Sequence, residues 1–520
     1  MTRRPDLPRW LSALLAVVVG LLIGLGQPPM GLWPATLVGI AGFTWLTSRR
    51  RKRAAALYGF LSGIAMNTLT ISWIGVLGAG VAVGLIVFTS LWYALAGLVI
   101  SRVSRLRLWP LWVAATWVGI EFASGNVPFG GFSWTRLAFT TTDQPLSGYL
   151  RFVGAAGVSL LVALVAQWLL LLLERRSRVR AAVAIGVAFV VGGLLLLIPP
   201  PPAQQTVQVA VVQPNVNRHE YGTAAYPRAV TNNALSSTVL ALAQARTEGR
   251  ALDFVVWPES ATDHDPYLDA TARTQVDLAA RLAGVPILVG AVTLPTDLPD
   301  SRQTSGIWWD PERGPGDVYH KRNLVPFGEW IPFRDFLLPR LPILEQIGRQ
   351  GIPGEEAGVV EAPTERYPSL LVGDVICFEL AYDDTVYDTV RGGAQVLVSQ
   401  SNENTYSGTF QIAQQWNMNR IRAKELGREF VVSTLNSVSG YVDARGGEHA
   451  PTAEFTGAAR IIETPLRYRV SPAVTVGPIV SRAALVVAAA AFVVALVAPR
   501  HGSRAGKLGW TNREGDTNGD

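Results

Sequence analysis

Eight long apolar stretches constrain the fold of this chain more than any other feature of its sequence. About seven of them lie within residues 1–200, and the eighth lies close to the C-terminus. Each approaches the length of about 20 residues that a helix needs to cross the hydrocarbon core of a bilayer. The sequence therefore predicts a multi-pass α-helical membrane domain. The stretches are Trp10 to Gly26, Leu32 to Thr47, Ala54 to Gly75, Gly78 to Ile100, Leu108 to Ser124, Tyr149 to Leu173, Ala181 to Ile198 and Ala483 to Ala498.

Basic residues between the stretches indicate how the chain is oriented. Cytoplasmic loops are enriched in Lys and Arg, and the basic blocks here all fall on one side if the eight helices span. That side then holds both termini, and the long segment after the seventh helix lies outside. The first stretch has the basic start of a signal peptide, but because six more follow we interpret it as a helix. The blocks are Arg3, Arg4 and Arg9; Arg49 to Arg53; Arg102, Arg105 and Arg107; Arg175, Arg176, Arg178 and Arg180; and Arg500, Arg504 and Lys507.

The composition argues against a nucleic-acid partner. Only 16% of the residues are charged, whereas soluble domains average about 25%. The net charge of +6 comes from short basic blocks between apolar stretches rather than from one basic face. The only cysteine, Cys377, cannot form an internal disulfide, and the five histidines are scattered without a metal-binding motif. We expect a membrane protein that uses neither a metal nor a cofactor.

The segment after Pro199 to Pro202 has a different composition, with short strand-like runs between turn and helix patterns. Strands that alternate with helices predict an α/β domain over residues 205–470, which is long enough to bury a full core. Gln411 to Arg428 is typical of a helix closed by a glycine. We expect a C-terminal transmembrane helix over residues 481–498 and a disordered cytoplasmic tail over residues 499–520. The strand-like runs are Val207 to Val212, Phe254 to Trp257, Pro286 to Val292, Leu370 to Phe378, Gln395 to Ser399 and Phe430 to Ser433.

The sequence allows two roles for each of two features that lie beside the membrane. The connection Gly125 to Gly148 contains aromatic residues that suit the membrane interface, either as a headgroup-level anchor or as a lipid-access element. Glu121, near the end of the fifth stretch, is a functional candidate if it lies within the membrane and an ordinary interfacial charge otherwise. The aromatic residues are Phe129, Phe132, Trp134 and Phe139.

Three residues at or after strand ends form a sufficient set for acyl transfer. Cys377 ends one apolar run, Glu259 follows another, and Lys321 follows a tyrosine and a histidine. They would supply a nucleophile, a base to ionise its thiol and a cation for the oxyanion. Judged singly, Cys377 is also consistent with a small buried hydrophobic residue. Glu259 and Lys321 are, judged singly, also consistent with ordinary surface charges. Glu379 shares a face with Cys377 if the chain stays extended, and a salt bridge is its ordinary alternative role.

The motifs WPES, YHKRNLVPFGEWIPF and VICFE, in this order, resemble the nitrilase superfamily, whose members use a Glu-Lys-Cys triad on an α-β-β-α sandwich. Membrane helices on both sides, together with GFSWTRLA and MNRIRAKELGR, narrow the resemblance to the apolipoprotein N-acyltransferase family. The resemblance implies that Glu259 is the general base, Lys321 the oxyanion-stabilising lysine and Cys377 the nucleophile. It also implies supporting or substrate-binding roles for Glu329, Glu379, Phe378 and Trp134.

The sequence departs from the family pattern at two places. Phe378 follows the cysteine where the family often has tyrosine, so a hydroxyl there is not part of the expected mechanism. The loop Gln400 to Tyr406 reads QSNENTY where the family more often has Asn-Asp-Ala-Trp-Phe-Gly. The resemblance therefore implies no aromatic contact with the substrate for this loop.

The function implied by the resemblance is a ping-pong N-acylation at the bacterial cytoplasmic membrane, with the catalytic domain on the outer side. A phospholipid would donate the acyl chain, and the amine of a diacylglyceryl-cysteine in a lipoprotein would accept it. We expect a monomer that needs no nucleic acid. A membrane-tethered nitrilase-like amidase or hydrolase, in which water is the acceptor, is the alternative. A transporter would leave Glu259, Lys321 and Cys377 unexplained.

Overall fold

The computed structural model describes residues 7–203, 205–216, 226–262 and 264–497. The first seven helices lie where the apolar stretches predict them, within a few residues at each end. They are α1 (Arg9–Gly24), α2 (Trp33–Thr47), α3 (Lys52–Ile71), α4 (Ala79–Val103), α5 (Trp109–Ser124), α6 (Leu150–Leu172) and α7 (Arg178–Leu197). Arg3, Arg4 and the predicted tail over residues 499–520, with its basic block, lie outside the described residues.

The remaining elements follow in chain order. They are β1 (Gln205–Gln213), α8 (Tyr226–Thr247), β2 (Phe254–Val256), α9 (Ala270–Ala283), β3 (Ile287–Thr293), β4 (Ser301–Asp310), β5 (Gly314–His320), α10 (Arg334–Leu337), β6 (Gln350–Gly351), β7 (Val359–Glu361), β8 (Leu371–Ile376), α11 (Asp383–Arg391), β9 (Val396–Ser401), α12 (Phe410–Leu426), β10 (Phe430–Thr434), β11 (Gly440–Val442), β12 (Glu448–His449), β13 (Ala458–Leu466) and α13 (Ala473–Val497). Each of the six strand-like runs corresponds to a strand, and Gln411 to Arg428 corresponds to α12.

Five helical segments within the described residues are long and apolar enough to cross a membrane. The helices α1, α2 and α5 contain 16, 15 and 16 residues, so at 1.5 Å per residue each is shorter than a hydrocarbon core of about 30 Å. The total of eight spans therefore stays a prediction. The five segments are Lys52–Leu77, Ala79–Val103, Pro145–Leu172, Arg178–Leu197 and Ala473–Val497.

The last helix begins earlier than the sequence predicts. The prediction placed its start at residues 481–483, whereas α13 begins at Ala473. Pro478 lies inside the helix, where proline usually breaks a helix, so an apolar pattern alone does not predict the start at Ala473.

Two sheets face each other in the α/β domain. One contains seven strands in the order β13-β1-β2-β3-β4-β5, with β6 paired to β4, and the other has the order β12-β11-β10-β9-β8-β7. Their inner faces share a buried cluster that includes Phe254 and Leu288 from the first sheet and Val372 and Val398 from the second. Helices α8 and α9 cover the outer face of the first sheet, and α11 and α12 cover that of the second. The predicted α-β-β-α sandwich is confirmed.

Helix α12 docks the sandwich onto the ends of the membrane helices through Gln414. The Oε1 atom of Gln414 accepts hydrogen bonds from Trp73 Nε1 at 3.0 Å and from Trp134 Nε1 at 2.6 Å. Its Nε2 atom donates to the carbonyl oxygens of Pro28 at 3.1 Å and Thr70 at 2.9 Å. The connections after α1, α3 and α5 therefore lie against the α/β domain, at one end of the helical bundle.

Buried charges reinforce this junction. Arg422 on α12 is fully buried and pairs with Glu425 and with Asp383 of α11. Its Nε atom also donates to the carbonyl oxygen of Leu380 at 2.8 Å. Arg136, from the connection between α5 and α6, pairs with the same Asp383. The cluster links the membrane domain to the two helices that support the second sheet.

We expect Arg422→Met to destabilise the protein by about 3–5 kcal/mol, because Glu425 would stay buried without its counter-charge and Asp383 would keep only Arg136. Arg313→Met is the matched control, since Arg313 pairs with Asp310 at an exposed site where an ion pair contributes about 0–1 kcal/mol. Thermal unfolding of both variants in detergent measures the difference. Equal unfolding midpoints for the two variants would contradict a stabilising role for the cluster.

Candidate active site

Cys377 lies at a sharp turn at the end of β8. Its φ angle is +54°, in the left-handed region that costs energy for a non-glycine residue and that often marks functional sites. A 3₁₀ turn, Cys377–Ala381, starts at this residue. The thiol is thereby presented at the strand end and remains partly exposed. The chain does not stay extended through Glu379, because the turn carries this residue into the interior.

The structure brings Lys321 together with two of the predicted glutamates. Lys321 directly follows β5, and its side chain is buried. Its Nζ atom donates to Glu259 Oε1 at 2.8 Å and to Glu329 Oε1 at 3.0 Å. Burial alone would favour a neutral amine, but the two carboxylates outweigh it and hold the pKa of Lys321 well above its usual range. The site therefore keeps a fixed ammonium group.

The electrostatics of the site keep Cys377 protonated at rest. Desolvation raises the pKa of the Cys377 thiol well above its usual range, and the Glu259 carboxylate raises it further, while Lys321 opposes both. Because the thiol does not ionise on its own, nucleophilic attack requires a base that removes the proton during the reaction. Glu259 is the carboxylate that acts most strongly on the thiol.

Glu259 is oriented through both of its oxygens. While Oε1 accepts from Lys321, Oε2 accepts the backbone N–H of Asn402 at 2.7 Å. Asn402 belongs to the loop that departs from the family pattern, and the sequence did not predict its role. A backbone donor leaves no trace in residue type, so only the fold identifies it.

Glu379 holds the cysteine turn in place from beneath. Its Oε1 atom accepts from the Tyr319 hydroxyl at 2.7 Å and from the backbone N–H of Arg322 at 2.7 Å. Its Oε2 atom accepts the backbone N–H of Ile376 at 2.8 Å. These neutral donors, rather than the salt bridge considered from sequence, bind the carboxylate. Glu379 thus fixes the residue before Cys377 relative to the residue after Lys321.

Glu403 is a further buried acid of the site that the sequence did not single out. It follows Asn402, and only 4% of its surface is exposed. Burial raises the pKa of Glu403 to about 8, and the Glu259 carboxylate adds to this rise. Glu403 also raises the pKa of Cys377. Near neutral pH it is mostly protonated, so it adds little negative charge around the thiol.

The raised pKa of Glu403 predicts a loss of stability at alkaline pH. The folded protein keeps this proton longer than the unfolded chain does, so the free energy of unfolding falls as pH rises from 4.5 towards 8. We expect Glu403→Gln to reduce the fall in unfolding midpoint between about pH 5 and pH 9. The exposed Glu312→Gln serves as the control. Identical pH slopes for wild type and Glu403→Gln would contradict this assignment.

Aromatic residues of the connection between α5 and α6 pack against the residue after the nucleophile. The ring of Phe378 stacks on Trp134 at 5.9 Å and on Phe132 at 6.0 Å between centroids. Trp134 and Phe139 are buried within the protein, which argues against the headgroup-level anchor for these two residues. They point inwards because the α/β domain covers this connection.

Glu121 lines a cavity of about 210 Å³ between the membrane helices and α11, together with Arg136, Arg322 and Asp383. Its Oε1 atom accepts the backbone N–H of Leu137 at 2.7 Å, and its Oε2 atom lies 4.0 Å from Arg136 Nε. It therefore orders the connection between α5 and α6. Among the residues that the structure describes, no group of His, Cys, Asp and Glu is arranged to hold a metal ion.

Comparison with known proteins assigns the chain to a family. Residues 19–168 match the apolipoprotein N-acyltransferase N-terminal domain, and residues 208–464 match the carbon-nitrogen hydrolase domain. An apolipoprotein N-acyltransferase of Mycolicibacterium smegmatis is 34% identical, over 94% of this chain and 85% of the relative. The chain belongs to the apolipoprotein N-acyltransferase family.

A second apolipoprotein N-acyltransferase, from Vibrio cholerae, is 25% identical over 88% of this chain and 92% of its own length. Among solved structures, a variant of the Nesterenkonia AN1 amidase from the nitrilase superfamily matches 51% of this chain and 93% of its own, with 14% identity and a TM-score of 0.36. As a member of the apolipoprotein N-acyltransferase family, the chain is an acyltransferase with a membrane domain and a nitrilase-like α/β domain.

Proposed function

We propose that this chain transfers a fatty acyl group from a phospholipid to the N-terminal amine of a diacylglyceryl-cysteine in a lipoprotein, through a thioester on Cys377. The observation that carries the proposal is the buried ion cluster of Lys321 with Glu259 and Glu329 beside the cysteine turn, in a domain docked on apolar helices. The names of the relatives supply the acceptor. The geometry of the site supplies the roles of the residues.

In the first half-reaction Glu259 takes the proton of the Cys377 thiol, and the sulfur attacks the ester carbonyl of the phospholipid. The carbonyl oxygen becomes an oxyanion, which the fixed ammonium of Lys321 stabilises. The ester C–O bond then breaks, and the leaving oxygen takes the proton from Glu259. A lysophospholipid departs and the acyl group stays on Cys377 as a thioester.

In the second half-reaction the acceptor amine takes the place of the leaving lipid. Glu259 removes a proton from the amine as its nitrogen attacks the thioester carbonyl, and Lys321 again stabilises the oxyanion. The C–S bond breaks, and the Cys377 sulfur recovers its proton from Glu259. The products are an amide on the lipoprotein and the free enzyme.

The proposed orientation places the sandwich on the outer side of the bacterial cytoplasmic membrane. The connections after α1, α3 and α5 contact the sandwich through residues such as Pro28, Trp73 and Trp134. The connections with basic residues, such as Arg49 to Arg53, follow the alternate helices and so fall at the other end of the bundle. Basic connections favour the cytoplasm, which supports an outward-facing Cys377.

A monomer suffices for this chemistry, because a single chain supplies the nucleophile, the base, the ammonium group and their supports. Phe132 and Trp134, stacked on Phe378, connect the membrane domain directly to the cysteine turn. This contact supports a lipid rather than a small soluble amide as the acyl donor.

Incubation of the purified protein with acyl-labelled phospholipid and a diacylglyceryl-cysteine peptide tests the proposal. We expect label on the peptide amine, and a lysophospholipid formed in equal amount. Release of labelled free fatty acid without acylated peptide would contradict the proposal and favour a hydrolase. The same reaction without peptide should stop after one acyl group per enzyme.

A further inference from the structure

Asp374 is a buried acid that the proposed mechanism does not use. It lies on β8, three residues before Cys377, and its side chain is fully buried. Val372 and Ile376, on the same face of β8, belong to the apolar cluster between the two sheets. Within the described part of the chain, neither carboxyl oxygen of Asp374 has a hydrogen-bond partner. An ionised carboxylate in such a place would cost several kcal/mol.

Gln400, on the neighbouring strand β9, directs a second oxygen atom towards the carboxyl group of Asp374. Its Nε2 atom donates to the carbonyl oxygen of Trp257 at 2.6 Å, whereas its Oε1 atom has no partner among the described residues. A Cβ atom placed on Gly306 of β4 would lie 2.0 Å from Asp374 Oδ2 and 3.2 Å from Gln400 Oε1. The two acceptor oxygens therefore converge above Gly306, which leaves room for them because it has no side chain.

Two acceptors that converge in an apolar interior repel each other unless a proton lies between them. We propose that Asp374 is a neutral carboxylic acid that donates a hydrogen bond to Gln400, and that this bridge positions the nucleophile relative to its base. Burial raises the pKa of Asp374 well above its usual range, and Glu379 and Glu259 act in the same direction, which agrees with a protonated side chain.

The bridge connects the three segments that build the active site. Asp374 lies on the strand that delivers Cys377. Gln400 lies two residues before Asn402, whose N–H holds Glu259. Trp257, the acceptor of the Gln400 amide, lies two residues before Glu259 itself. A lost bridge would let β8 shift against β2 and β9, and a displacement of about 1 Å costs on the order of 10²-fold in rate.

The test rests on the proposed acyl transfer and uses the full-length protein in detergent. We expect Asp374→Asn, which keeps a donor for Gln400, to form the thioester within about threefold of the wild-type rate. Asp374→Leu and Gln400→Leu should each form it on the order of 10- to 100-fold more slowly. The double variant should be no slower than the slower single variant, because the two residues act as one unit. Val398→Ala, which would create a cavity on the same inner face, is the control. It should lower the unfolding midpoint without slowing thioester formation about 10- to 100-fold.

Equal losses for Asp374→Asn and Asp374→Leu, or additive losses in the double variant, would overturn the bridge. An infrared difference spectrum, wild type minus Asp374→Asn, supplies a second readout through the carbonyl stretch of a protonated carboxylic acid. This readout does not depend on whether the leucine variants fold or on which reaction the protein catalyses. The presence of this stretch near neutral pH is expected, and a carboxylate signature instead would overturn the proposal. Alkylation of Cys377 by iodoacetamide reports thiol access, so a failure of the bridge is distinguishable from a failure of the proposed function.

Discussion

The Cys377→Ala variant will form no acyl-enzyme and no N-acylated peptide. Cys377 is the only cysteine of the chain, so no other thiol can replace it. In enzymes whose catalytic groups act as a unit, loss of the nucleophile removes nearly all of the rate enhancement, and we expect a loss of at least about 10⁴-fold. Incubation with acyl-labelled phospholipid, followed by quantification of lysophospholipid and labelled protein, measures this.

Cys377→Ser separates the chemistry from the fold. Serine keeps the size of the side chain and the turn that Glu379 braces, but its hydroxyl is far harder to ionise than a thiol. We expect unchanged thermal unfolding and a similar loss of activity. N-acylation by Cys377→Ala at a rate near that of the wild type would show that the acyl group does not pass through this residue.

Lys321→Met will both slow acyl transfer severely and destabilise the α/β domain. Methionine retains much of the volume but leaves Glu259 and Glu329 buried without their shared ammonium group. Removal of one partner of a buried ion pair costs about 3–5 kcal/mol. Loss of an oxyanion donor costs about 10²–10³-fold in rate. Thermal unfolding and single-turnover thioester formation measure the two effects separately.

A second substitution distinguishes these two contributions. In Lys321→Met with Glu329→Gln, one of the two unpaired carboxylates is neutral, so we expect part of the lost stability to return. The activity should stay lost, because neither side chain carries the positive charge that the oxyanion needs. Full activity in Lys321→Met would contradict the role of Lys321, whatever its stability.

The parts of the fold that the sequence predicted are those with a strong local pattern. The length and apolarity of the stretches located α1 to α7, and runs such as Phe254 to Trp257 located the central strands. The strand β5 was missed because its sequence, GPGDVYH, contains the glycine and proline of a turn. It forms a strand because it pairs with β4 across the sheet, and long-range pairing has no local signature.

The candidate site was predictable where residue type carries the chemistry. Glu259, Lys321 and Glu329 were named from motifs and lie together in the structure. The backbone donor of Asn402 was not predictable, since any residue supplies an N–H group. The left-handed turn at Cys377 was also hidden, because the apolar run before it favours a continued strand.

The burial of polar residues on α12 was also not predictable from the sequence. Gln414 and Arg422 would be placed on a solvent-facing side by their polarity, yet both are buried at the junction with the membrane domain. Their partners, such as Trp73 and Asp383, are distant in the sequence. Only the assembled fold shows which hydrogen bonds and ion pairs they make.

Mass spectrometry of the Cys377 peptide, before and after addition of the acceptor, tests the central claim most directly. After incubation with phospholipid alone, we predict that this peptide carries one acyl chain as a thioester. After a diacylglyceryl-cysteine peptide is added, the chain should leave Cys377 and appear on the acceptor amine. An acylated acceptor without any adduct on Cys377, or an adduct that the acceptor does not remove, would contradict the account.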